Sequence, residues 1–332
     1  MTSAALSPGY LAAREHAGLL RRTRGLILVS GRDRASYLQG LLTNDIAALA
    51  SGQGCYAAYL TAQGRMISDL YVYELGDVIL LVTPLATKEV VLAKLDQFIF
   101  SEDVQLGDLT DAFTELAVVG PGAATLLAAV TGVPADALAP EAEHGAARHS
   151  VDGEPVVAVR VADTGAPGFD LIAERAVVDA LWAQLLGAGA EAIDDATAEA
   201  LRIEAGVPLF GPDMDTDTIP LEAGIEQRAI SFSKGCYVGQ EVIIRVLHRG
   251  QGRVARKLVG LLFESGQAAP PAGTALQVEG AVVGAVTSSV ESPALGRPIA
   301  LGYLKRDLIE PGTRVATPTG AVAEVVTLPF RA

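Results

Sequence analysis

Lys234-Gly235-Cys236-Tyr237-Val238-Gly239-Gln240-Glu241 sets one of the two cysteines of this chain between glycines, just ahead of a run with helical spacing. Val238, Val242, Ile243, Val246 and Leu247 recur on one side, Gly250 follows as a stop, and His248 and Arg249 occupy the last turn, where a helix dipole favours cations. Cys236 is therefore expected at the positive end of this helix. Unpaired backbone N–H groups and the Lys234 ammonium would favour its thiolate and lower its pKa below the roughly 8.5 of a free cysteine. A small residue filling a gap under the turn is the packing alternative, and position alone leaves the two open.

Outward from this stretch, composition bounds the class. At 332 residues the chain is too long for a typical single core, so two or three modules are expected. Half of its residues are hydrophobic, enough to fill those cores. A formal net charge of −14 argues against general binding to nucleic acid or anionic membrane and leaves small molecules or local basic surfaces as partners. Cys55 and Cys236 make neither a disulfide framework nor a four-ligand zinc site, which fits a reducing cytoplasm. Cys55 opens an apolar run and reads as a structural strand residue. Near the N-terminus Arg14, Glu15 and His16 interrupt early and Arg21, Arg22 and Arg24 follow, so no secretory leader is expected. The longest apolar stretches, such as Val78 to Val82, fall far short of a membrane span, and a soluble chain is expected.

Strand and helix signals alternate. Residues 25–30 read as a strand, and 35–50 as a helix with Tyr37, Leu38, Leu41, Leu42 and Ile46 on its apolar side. A meander follows over 55–61, 65–75 and 77–83, closed by a helix near 87–98. A second α+β set comprises strands at 116–119, 156–162 and 168–173, and helices after Pro121, near 175–186 and near 195–205. Residues 131–150, rich in Ala, Pro and Gly, look like a surface connection. After Gly252 only short β-rich runs remain, at 254–263, 274–278, 281–291, 299–304 and 313–327, which fits a small closed barrel or sandwich. The division is expected near 251, giving units of 1–250 and 251–332.

Two carboxylates stand out. Glu204 lies in the last turn of its helix, where it opposes the dipole, and it borders the apolar Leu201 side. It is either a neighbour to Arg202 and Glu199 on a solvated face or an acid held at a cleft edge to accept N–H donors of a ligand. In the strand Met66 to Leu75, alternation puts Ile67, Asp69, Tyr71, Tyr73 and Leu75 on one face. A lone acid among aromatic residues needs a partner, so Asp69 is a hydrogen-bonded structural acid or a ligand-contacting, proton-transferring group with a raised pKa.

Three patterns lead nowhere. The segment from Val119 to Thr125 lacks the third glycine of a dinucleotide fingerprint. Asp213, Asp215 and Asp217 imitate the start of a calcium loop, but Thr218 and Gly224 stand where its Gly and Glu belong. His16, His144, His149 and His248 show no metal spacing, so no metal is expected. Glu241, Arg245 and Arg249 form an i, i+4, i+8 stripe, which is an exposed salt-bridged face or a way to offer Arg245 to an anionic ligand tail.

The order of these pieces resembles the YgfZ/GcvT-like folate-binding family, relatives of the aminomethyltransferase (T-protein) of the glycine cleavage system. The resemblance runs over nearly the whole chain. It is carried by Tyr37-Leu-Gln-Gly-Leu-Leu-Thr-Asn-Asp45, Leu60-Thr-Ala-Gln-Gly-Arg-Met-Ile-Ser-Asp69, Gly168-Phe-Asp170, Arg202-Ile-Glu-Ala-Gly-Val-Pro208, Pro220-Leu-Glu222 and, most specifically, Lys234 to Glu241. It implies an α+β fold in three parts, two α+β units around a folate cleft followed by a β-barrel. It further implies tetrahydrofolate as the cofactor, Glu204 on the pterin, Asp69 as the catalytic carboxylate, and Lys234 and Cys236 as the cysteine-branch signature. The expected catalytic set is Cys236, Asp69 and Lys234; the expected ligand contacts are Glu204, Asp69, Lys234 and Arg245. The cysteine branch implies support of iron–sulfur cluster assembly or repair, with iron–sulfur proteins or assembly factors as partners. Retention of Asp69 keeps aminomethyl or methyl transfer to tetrahydrofolate open as the alternative.

Overall fold

The computed structural model describes residues 6–248 and 253–331. Among these residues no helix is long and apolar enough to cross a membrane. The expected helix stop at Arg249 and Gly250 and the unit boundary near 251 lie outside the described residues.

The meander forms as its alternation and turns dictate. Gln53–Leu60, Met66–Glu74 and Ile79–Pro84 pair antiparallel, then Arg24–Ser30 and Gln105–Asp108 complete a five-stranded sheet. One residue departs from the expected alternation. Tyr59 pairs with Ser68 and Leu60 with Met66, so Ile67 is an extra residue on its strand. This bulge turns Ile67 into the cluster of Leu70 and Val72, while Asp69, Tyr71 and Tyr73 stay on the opposite face.

A second sheet has the order Glu191–Ala192, Gly18–Arg22, Phe113–Val119, Gly168–Glu174, Glu154–Val161, Ala146–Val151. The last strand corrects the reading of 131–150 as a plain surface connection: the segment tucks Leu138 and Ala139 into the core and ends as a sheet edge. The sheets pack face to face, with Leu26, Leu80 and Val82 of one against Val159, Val161 and Ile172 of the other. Helices cover the outer faces, Arg34–Leu41 and Lys88–Asp96 on the first and Ala123–Thr131 and Arg175–Gly187 on the second. The helix expected over 35–50 stops at Leu41. Leu42 turns extended and bridges to Tyr59, and the Thr43 and Asn44 side chains bond to the strand Gln53–Leu60 instead.

The chain passes from one sheet to the other at Thr23. Gly18–Arg22 belongs to the six-stranded sheet, Arg24–Ser30 to the five-stranded one. Arg22 and Arg24 therefore flank the point where the two sheets part.

Residues 256–326 close into a six-stranded barrel, Arg256–Phe263, Arg297–Lys305, Ala281–Ser292, Ala275–Val278, Arg314–Ala316 and Val322–Val326. The last expected run is split by a turn at Thr317 to Gly320. Ile203 of the helix Asp195–Glu204 packs against Leu258, Ile299 and Leu301 of the barrel.

Candidate functional site

Where the sheets part they leave a cavity of about 460 Å³. The bulged strand contributes Asp69, Leu70 and Tyr71, its neighbour Tyr56, and the sheet crossing Arg22, Thr23 and Arg24. Asp163 and Thr164 come from the loop before Gly168–Glu174. Glu199 and Arg202 come from the helix Asp195–Glu204, and Arg228 from the short helix Glu226–Ala229.

Asp69 is 8% exposed, and its two oxygens differ. Oδ2 accepts the Tyr56 hydroxyl at 2.6 Å, whereas Oδ1 is buried without a hydrogen-bond partner among the described residues. Burial raises its pKa above the ordinary aspartate range, against the Tyr56 hydrogen bond and the charges of Arg24 and Arg228. The Thr164 hydroxyl, in the same cavity, is likewise buried and unpartnered among the described residues.

At the crossing, Arg22 grips Asp163 with two bonds of 2.7 Å and reaches Asp170 at 3.1 Å. Burial works to raise Asp163, but the guanidinia of Arg22 and Arg24 overcome it and hold the carboxyl at about 2. Asp170, deeper and beside Glu115, is pushed up by burial and by that second carboxylate against the pull of Arg22. Arg24 lies 5.2 Å from the Tyr71 ring centre and Arg228 lies 5.3 Å from that of Tyr56.

Of the residues expected at the site, Asp69 lines this cavity and the others stand elsewhere. Glu204 is not part of the cavity wall, and its carboxylate is bonded within the chain. Oε2 accepts from the Tyr10 hydroxyl at 2.7 Å and Arg14 at 2.5 Å, and Oε1 from the Ser292 hydroxyl at 2.5 Å and the Ala294 N–H at 3.1 Å. This resolves its awkward position in a last helical turn: it ties the first helix and the barrel to its own. One turn earlier on the same helix, Glu199 reaches the cavity.

Lys234 is a clamp on a helix end. Its ammonium donates to the carbonyls of Gln39, Leu42 and Asn44, each at 2.7 Å, at and just beyond the end of Arg34–Leu41. Burial draws its pKa down to about 8. Cys236 is exposed and is not part of the cavity wall. The helix begins at Gln240, four residues on, so the expected seat at a helix N-terminus is not formed. The motif's apolar residues act as a key instead: Tyr237 packs with Tyr56, Leu60 and Met66, and Val238 against the Tyr37 cluster. Gly239 has φ +85, and a Cβ there would lie 2.5 Å from the Thr61 carbonyl, so glycine is what lets the loop close on the meander turn. Arg245 is exposed on Gln240–His248, away from the cavity. Cys55 is drawn inward as expected of a strand residue, and burial pushes its thiol up to about 12. The calcium-loop imitation has its own explanation, since Asp213 accepts from Arg202, Ser288 and the Leu209 N–H and is filled by the chain.

Sequence reasoning missed Tyr56, Arg22, Arg24, Asp163, Glu199, Arg202 and Arg228. A signal existed for two of them: Arg22 and Arg24, two apart amid Leu and Ile runs, are charges that a buried strand must pair.

A cavity of mixed polar and aromatic lining with an incompletely bonded acid, set between two α+β units, has the features that small-molecule sites share. Residues 3–234 match the GCVT N-terminal domain and residues 256–331 the glycine cleavage T-protein C-terminal barrel domain, and the chain belongs to this family. It is 35% identical to an aminomethyltransferase of Streptomyces avermitilis, over 92% of this chain and 82% of that one. It is 33% identical to that of Streptomyces coelicolor, over 97% and 88%. The crystal structure of glycine cleavage system aminomethyltransferase T from Bartonella henselae is similar throughout, with a TM-score of 0.87 and 29% identity over 97% of this chain and 88% of that one. The expected α+β fold in three parts is thus the observed one.

Proposed function

We propose that this chain binds tetrahydrofolate between its two sheets and catalyses aminomethyl transfer to it, with Asp69 as the group that orients the reacting amine and moves its proton. The observation that carries this reading is the free Oδ1 of Asp69, an acceptor buried in a ligand-sized cavity with no donor among the described residues to satisfy it. The aminomethyltransferases that share most of the chain's length support it. The cavity suits a flat, polar heterocycle, since Tyr56, Tyr71 and Phe210 supply ring faces and Asp69 and Thr164 supply unpaired polar atoms. When bound, tetrahydrofolate supplies the nitrogen that accepts the one-carbon unit. Tyr56 fixes the rotamer of Asp69 through its hydroxyl, and burial keeps the pKa of Asp69 above the ordinary range, which suits proton transfer nearer neutrality. The folate-binding module is residues 1–250, the barrel 251–332, and the setting cytoplasmic. The test is turnover with an aminomethyl-lipoyl carrier and tetrahydrofolate: the wild type should turn over and Asp69→Asn should not. Equal rates would sink the assignment.

A second reading, support of iron–sulfur proteins as in the YgfZ branch, is favoured by one observation. Cys236 stays exposed as a free thiol while Tyr237 beside it is buried. In this reading the thiol faces a partner protein and Lys234 holds its loop. Full rescue of iron–sulfur enzyme activities in a deletion host by Cys236→Ala would remove it.

A further inference from the structure

Five arginines line the cavity, and they differ in how far the chain already uses their hydrogens. Arg21 pairs with Asp179 at 2.8 Å and lies over Trp182. Arg22 is committed to Asp163 and Asp170, and Arg202 to Glu199, Asp213, the Val207 carbonyl and the Ser288 hydroxyl. Arg24 and Arg228 are the exceptions. Arg24 approaches Asp163 and Glu115 no closer than 3.4 and 3.6 Å, and Arg228 approaches Glu143 at 3.6 Å.

These two guanidinia frame Asp69. Arg24 rests over Tyr71 and Arg228 over Tyr56, the two rings are 5.1 Å apart, and the Tyr56 hydroxyl bonds to Asp69. Both charges act on the Asp69 carboxylate. Guanidinium groups held by carboxylates only at 3.4 Å or more among the described residues therefore flank a carboxylate with an unpaired acceptor atom, in one cavity.

We propose that Arg24 and Arg228 form a seat for a carboxylate, so that the ligand beside Asp69 presents an N–H donor and a carboxylate together. The N–H meets Asp69 Oδ1 and the carboxylate meets the guanidinia, whose planar forks match it. This deepens the folate reading above and rests on it only for putting the substrate in this cavity. Two ligands carry the chemistry: a free amino acid-like donor of the one-carbon unit, and the glutamyl end of a folate, where an amide N–H adjoins a carboxylate.

The experiment is calorimetry with glycine, p-aminobenzoylglutamate and 6-methyltetrahydropterin, the last being the reduced pterin ring with no carboxylate. It compares wild type, Arg24→Gln, Arg228→Gln and, as a control, the exposed Arg32→Gln. Wild type should bind one of the two carboxylate probes, and each cavity variant should weaken that binding by about ten-fold or more, with 6-methyltetrahydropterin and the control unaffected. Loss confined to glycine identifies an amino acid-like donor, and loss confined to p-aminobenzoylglutamate identifies the folate tail. Arg228 is partly exposed, so its variant serves if Arg24→Gln fails to fold. The seat is refuted if wild type binds neither carboxylate probe, if folded Arg228→Gln binds both as wild type does, or if 6-methyltetrahydropterin weakens equally. Arg-dependent glycine binding without any 6-methyltetrahydropterin binding would uphold the seat and fell the folate reading; 6-methyltetrahydropterin binding without either carboxylate probe would do the reverse.

Discussion

Glu204 and Asp69 are both carboxylates buried in the same body, and they have opposite uses. Every hydrogen-bonding direction of Glu204 is filled from two parts of the fold, Tyr10 and Arg14 of the first helix and Ser292 and Ala294 of the barrel. Asp69 keeps one oxygen empty and faces a cavity. A saturated acid joins parts of a fold, whereas an unsaturated one beside space is poised for a ligand.

The comparison is most sharply tested by exchanging each acid for its amide. Asp69→Asn should lower turnover by roughly 100-fold or more, as expected for a lost proton-transfer group, without lowering the melting temperature at pH 7. The sign follows from linkage. The pKa of Asp69 is raised in the folded state, so that state holds the proton longer, and stability falls as pH rises from the unfolded value of about 3.9 through the folded one. Removing the charge removes that loss. A melting temperature clearly below wild type would mean that Asp69 is a structural acid like Glu204.

Glu204→Gln should do the opposite, costing on the order of 3 kcal/mol in chemical denaturation because Arg14 loses its buried anion, while folate affinity by calorimetry stays unchanged. A selective loss of folate affinity in a stable variant would return Glu204 to the ligand. Lys234→Met should cost about 2 kcal/mol by the same measurement, since three carbonyls at a helix end lose their donor. Asp163 adds an acid limb. Held at about 2 when folded, it contributes stability that is present above its unfolded value near 3.9 and is lost as pH falls toward 2. Asp163→Asn should flatten that limb in pH-dependent melts. The smallest effect is expected for Arg245→Ala, within about 0.5 kcal/mol and with no change in ligand affinity, as fits an exposed helix face.

Much of the architecture was readable because it is local. The period-two runs marked the meander, and Gly and Pro punctuation marked the barrel strands. The site was less so. Asp69 was visible as an acid on an aromatic face, but Ile67 left that face at a bulge that no alternation predicts. Glu204 was singled out for its oddity, but the groups that answer its charge were not legible, because they lie 190 residues earlier, at Arg14, and 88 later, at Ser292. Arg22 and Arg24 read only as charges interrupting an apolar start until the chain was seen to change sheets between them.

The segment from Lys234 to Glu241 shows the same division. The sequence by itself determined that a cysteine follows a lysine and a glycine ahead of a helix, and with it the family to which the chain is similar. Only the tertiary structure decided that the helix starts at Gln240, that Lys234 is spent on three carbonyls, and that Cys236 is exposed outside the cavity wall. Periodicity and turn chemistry are properties of neighbours along the chain. Whether a buried acid or cation is satisfied depends on groups that only folding brings within hydrogen-bond distance.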